Sequence, residues 1–131
     1  MTSTANRPLS PHIQVYRLPL PAVMSITHRM ASVANFVGLF VLIWWLGAMA
    51  SGAEAYAEFT NHTSTWYGQL ALVGWTFTLF YNMAHDVRHL FWDFDKGFEL
   101  TTAYKAAFAI CAFSIGATVL TWHSVWANIL L

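Results

Sequence analysis

Three stretches of this 131-residue chain contain no Asp, Glu, Lys or Arg: Met30 to Ala50, Trp66 to Ala84 and Ala106 to Leu131. A helix needs about 20 apolar residues to cross about 30 Å of hydrocarbon, and each stretch supplies them. With 57% hydrophobic and 9% charged residues, the chain cannot present a soluble surface, which is roughly a quarter charged. The expected fold is an all-α membrane protein with three transmembrane helices in a single domain. An arm over residues 1–21 should precede helices over about 22–50, 65–93 and 102–128. In the arm, Pro8, Pro11, Pro19 and Pro21 bias the residues before them away from helix and leave no apolar core for a secretory signal. Gly52 and Asn61 suggest an outer loop over 51–65. Asp95-Lys96-Gly97 suggests a turn, and Thr101 or Thr102 can cap the last helix.

The basic residues set an orientation. Arg7, Arg17 and Arg29 precede or open the first span, and Arg88, Lys96 and Lys105 flank the connection between the second and third. The connection over 51–65 holds Glu54 and Glu58 with no Lys or Arg, so the positive-inside rule places it outside and the amino terminus inside. A formal net charge of zero gives no electrostatic footprint for nucleic acid. Cys111 is the single cysteine. It therefore excludes a disulfide framework, an iron–sulfur cluster held by this chain and a covalently attached haem, and is read as core packing.

Ionisable groups at the edge of a hydrocarbon layer are costly, and two segments concentrate them. Ser25, His28, Arg29, Ser32 and Asn35 form one polar stripe at the inner end of the first span. On the second, Asn82, His85, Asp86, His89 and Asp93 fall within roughly a 100° arc, while Arg88 points elsewhere. The plain alternatives are that Arg29 reaches the headgroups, His28 satisfies a carbonyl and the other histidines are hydrogen-bonded packing. His85 and His89, one turn apart, can bind a metal, but zinc normally recruits three or four ligands and these helices supply few more. An axial haem ligand or a proton relay explains a mid-membrane imidazole better.

Three motifs taken in order make the chain familiar: Arg7-Pro8-Leu9-Ser10-Pro11-His12, Ser25-Ile26-Thr27-His28-Arg29, and Arg88-His89-Leu90-Phe91-Trp92-Asp93. Together they resemble the larger cytochrome b anchor subunit of succinate dehydrogenase, respiratory complex II, of the bacterial and mitochondrial type. The resemblance implies half of a heterodimeric helix bundle, with a smaller cytochrome b anchor subunit as partner and one haem b (protohaem IX) between the two. An iron–sulfur subunit and a flavoprotein subunit would dock on the inner face, and a trimer of such heterotetramers is allowed. The place implied is a bacterial cytoplasmic membrane, before a mitochondrial inner membrane.

The same resemblance implies roles. Ser25 and Arg29 would border ubiquinone, His28 and Arg29 would neutralise haem propionates, and Asp93 and His89 would serve docking or a proton route. The motif departs at one point: the family's haem-ligating histidine falls on Asn82, and its glycine on Asp86. His85 lies about 60° around the helix and roughly 4.5 Å further along, so it is the expected axial ligand in this chain. The implied function is the membrane anchor of succinate:ubiquinone oxidoreductase, passing electrons from the iron–sulfur subunit to quinone. A quinol:fumarate reductase anchor and a non-redox scaffold or small transporter subunit remain as alternatives.

Overall fold

The computed structural model describes residues 16–129, so the arm motif Arg7 to His12 lies outside the described residues. Four helices follow one another: α1 (Leu20–Ser51), α2 (Ala53–Ser64), α3 (Trp66–Asp93) and α4 (Leu100–Ile129). At 1.5 Å per residue, α1, α3 and α4 are each about 42–48 Å long. Pro19 stands before the first turn and Pro21 within it, where a missing N–H is not needed. The Pro19 carbonyl accepts from the backbone of Ala22 and Val23 at 2.9 and 3.2 Å.

The loop expected over 51–65 is instead almost wholly helical. Gly52, at φ 110°, breaks α1 in a conformation that favours glycine. The run Ala53-Glu54-Ala55-Tyr56-Ala57-Glu58 is then rich in good helix formers, with Glu54 at the favourable end of the helix dipole. Phe59 anchors α2 by burying its ring edge-on against Trp44 of α1, with 4.9 Å between centroids. Thr65 caps α3, accepting from the Gly68 backbone at 3.2 Å. Gly68 has no room for a side chain, because a Cβ would meet the His62 carbonyl. At the other end Asp95 and Gly97 take positive φ and reverse the chain. Trp92 closes that turn by donating to the Gly97 carbonyl at 3.3 Å. The next helix then starts at Leu100, upstream of both expected threonine caps.

α3 is the central helix and packs against both α1 and α4. Met24, Ala31, Tyr81, Ala107 and Ile110 form the core, and Cys111 packs on it. Gly38 lets α1 close on α3, since any Cβ there would run into the Trp75 indole. The polarity is the reverse of a soluble protein's. His85 and Ser114 are the largest fully buried side chains, while Phe108 is 69% and Leu120 72% exposed. That distribution suits a lipid surround, where small and polar side chains join helices and apolar ones face outward.

Among the described residues, α1 and α4 are long and apolar enough by composition to cross a membrane. α3 matches them in length but carries Asn82, His85, Asp86, Arg88 and His89 in its second half.

Candidate functional site

Two sets of polar groups join α1 to α3. In the middle of the pair, Thr78 donates to Asn35 Oδ1 at 2.7 Å and Asn35 donates to the Thr78 carbonyl at 3.2 Å. One turn on, the Asn82 amide lies 2.9 Å from Ser32 Oγ; oriented with its oxygen toward Asn35, which satisfies both of its ends, it accepts from Asn35 at 3.0 Å and donates to the His28 carbonyl at 3.3 Å. Asn82 is thus part of a hydrogen-bonded clasp. Deeper in the core the Tyr81 hydroxyl lies 2.6 Å from Thr27 Oγ1.

Toward the end where α1 and α4 begin and α3 ends, the helices leave a cavity of about 300 Å³. Ser25, His28, His85, Arg88, His89 and Trp92 line it, together with apolar residues at the start of α4. His28 stacks on His85 with centroids 4.7 Å apart, and His89 lies 5.7 Å from His28. The three imidazoles bring ligand atoms within 4.8 Å of one another. Tyr81 meets the other side of His85 edge-on at 4.7 Å, leaving His85 only 1% exposed. Asp86 Oδ1 lies 3.3 Å from His28 Nε2, close enough for attraction but too poorly aligned for a hydrogen bond.

Arg88 does not point away from this set, as the helical projection suggests. Its guanidinium sits 4.2 Å above the Trp92 ring, one turn along α3, and lines the cavity. Its Nε and Nη1 are buried without partners, as are His28 Nε2 and His85 Nε2. Buried polar groups are nearly always satisfied, so such a group of orphans in one cavity marks a place for a polar guest or ordered water. Arg29 is exposed and does not line the cavity, and Asp93 is exposed with no ion pair among the described residues. Ser25 is half-buried in the lining.

The donors suit two kinds of guest. A hydroxyl and a guanidinium can donate to carbonyl oxygens that gain negative charge. An imidazole with a buried, unpartnered nitrogen can ligate a metal, and on that ground His85 fits the donor chemistry of a haem ligand. As placed, however, His85 is stacked on His28 and only 1% exposed, so it must turn out of the cluster to meet a porphyrin.

These features define an all-α membrane subunit with a polar site at one end of its bundle. The family described as succinate dehydrogenase/fumarate reductase transmembrane subunit matches residues 3–121. The chain is 40% identical over 116 residues to the succinate dehydrogenase cytochrome b556 subunit of Paracoccus denitrificans, covering 88% of this chain and 89% of that one. It is 34% identical over 116 residues to the cytochrome b556 subunit of Rickettsia felis, at 88% and 90% coverage. To the mitochondrial cytochrome b560 subunit of Bos taurus it is 33% identical over 128 residues, at 89% and 70% coverage. The chain belongs to the succinate dehydrogenase/fumarate reductase transmembrane subunit family, as the three motifs imply.

Proposed function

We propose that the chain is a membrane-anchor subunit of succinate:ubiquinone oxidoreductase and that its cavity receives the quinone head. The observation that carries this reading is the convergence of Ser25, Arg88 and the three imidazoles on one cavity of about 300 Å³. Quinone reduction takes up two electrons and two protons, and its oxygens gain charge before they are protonated. The Ser25 hydroxyl and the Arg88 N–H groups are prepositioned donors for those oxygens. Trp92 holds the Arg88 guanidinium in place, so little reorganisation accompanies the charge change. Arg29, on the exposed side of α1, adds positive potential from outside the cavity, and His89 and Asp93 lead protons toward it from the surface. Electrons arrive from an iron–sulfur subunit that is itself supplied by a flavoprotein.

In this reading α1, α3 and α4 are the three spans, the amino terminus is cytoplasmic, and a smaller anchor subunit completes the bundle in a bacterial cytoplasmic membrane. A haem b shared with that subunit would supply a second electron-holding site. His85 would be the residue of α3 offered to its iron, and His28 and Arg29 would be offered to its propionates. The family description spans succinate oxidation and fumarate reduction, and the quinone's potential sets the direction.

The test uses the purified complex. Ser25→Ala and Arg88→Gln should each lower quinone reduction by about 10²-fold, the scale of a lost transition-state donor. Succinate oxidation by a water-soluble dye should remain unchanged. Equal loss of both activities would refute a role at the quinone. For the haem, a reduced-minus-oxidised spectrum should lose its low-spin b-type band in His85→Ala, and an unchanged band would refute the ligand.

A further inference from the structure

Two histidines one turn apart on one helix form half of a familiar metal-binding arrangement, and what they lack is a third ligand from elsewhere. α1 provides it. His85 and His89 project from α3 on the face that meets His28, and the three side chains offer ligand atoms that all lie within 4.8 Å of one another. Zinc–imidazole bonds of about 2.0–2.1 Å in a tetrahedral site place the nitrogens roughly 3.4 Å apart, so imidazole movements of about 1 Å close the set. Two of the imidazoles, His28 and His85, carry a buried Nε2 with no hydrogen-bond partner. An unmet nitrogen inside a cluster of imidazoles is what an ion between them would satisfy.

We propose that His28, His85 and His89 form a three-imidazole site for a divalent transition-metal ion of the zinc, cobalt or copper class. Asp86 stands 3.3 Å from His28 Nε2, the nitrogen the ion would take, so its carboxylate lies beside the ion and adds negative charge to the site. Arg88 is the like charge nearest the site, and its guanidinium is drawn onto the face of Trp92 at 4.2 Å. From α4 only apolar side chains, Leu100 and Ala103, line the cavity. The fourth coordination position is therefore left to water or to a guest in the cavity beside Ser25. The ion goes beyond the anchor reading and competes with its haem and proton-route parts, because imidazoles that hold an ion in the cluster cannot also serve a porphyrin iron (His85), its propionates (His28) or a proton path (His89).

The experiment titrates the purified complex, first stripped with a chelator, with cobalt(II) alone and follows the visible ligand-field bands. The same samples are assayed for haem by difference spectrum. Saturable bands at one cobalt per anchor are expected, lost in both His28→Ala and His89→Ala. His89 is exposed, so its removal leaves the core intact. Asp86→Asn should weaken cobalt binding by about tenfold, because it removes a negative charge beside the ion. Absence of saturable bands in the wild type, or bands that survive in both alanine variants, would overturn the ion site. If the wild type takes up no cobalt while His85→Ala alone removes its haem, the ion is overturned and the haem reading stands.

Discussion

Asn82 shows how one residue changes what a helix pair depends on. It stands where the family resemblance places a haem-ligating histidine, yet its amide is engaged with Asn35 and the His28 carbonyl. Interhelical hydrogen bonds in membranes contribute about 0.6 kcal/mol on average and up to about 1.7. Asn82→Leu should therefore lower the stability of the complex by about 1–2 kcal/mol, because Asn35 and the carbonyl lose a partner together. Thermal unfolding in detergent measures this, and an unchanged midpoint would show that the clasp carries no weight. The asparagine was visible in the sequence, but its partners were not, since they lie 47 and 54 positions earlier on another helix. The same holds for Arg88. Its i, i+4 relation to Trp92 was there to be read, but an angular projection of α3 alone cannot show a long side chain folding back over a ring. The motif implies a propionate partner in His28, and only the packing of α1 on α3 shows it stacked on His85.

At the scale of elements, charge-free windows expose long apolar helices well and short polar ones poorly. α1, α3 and α4 follow from those windows because length and composition dictate them once lipid is the solvent. α2 did not follow. Gly52 marks a true break, and with Asn61 it points to a loop, but Ala and Glu in the stretch between them favour helix. What holds α2 in place is tertiary: Phe59 is buried against Trp44, with His62 5.7 Å from the same indole. A helix of 12 residues is marginal by itself in water. Phe59→Ala should thus release α2 while leaving the three long helices intact. Amide exchange over residues 53–64 should speed up by at least about tenfold, corresponding to about 1.4 kcal/mol of lost docking. Protection that is unchanged over those residues would show that Phe59 is not the anchor.

For the whole molecule, the antiparallel order of α1, α3 and α4 sorts the charges to opposite ends. Arg29 near the start of α1, Arg88 and Lys96 near the end of α3, and Lys105 near the start of α4 share the end that carries the cavity. Glu54 and Glu58 lie on α2 at the other end. In the proposed orientation, with Lys and Arg retained on the cytoplasmic side, the cavity would lie at the inner interface, within reach of soluble subunits that deliver electrons. The whole functional reading depends on that placement. With Cys111 replaced by alanine, Glu58→Cys should react with a membrane-impermeant thiol reagent in intact spheroplasts, and Lys96→Cys only after lysis. Both are surface positions, so the substitutions leave packing undisturbed. The reverse pattern would put the imidazoles and Ser25 on the far side of the membrane from any cytoplasmic iron–sulfur partner, and would end the anchor mechanism whatever the cavity binds.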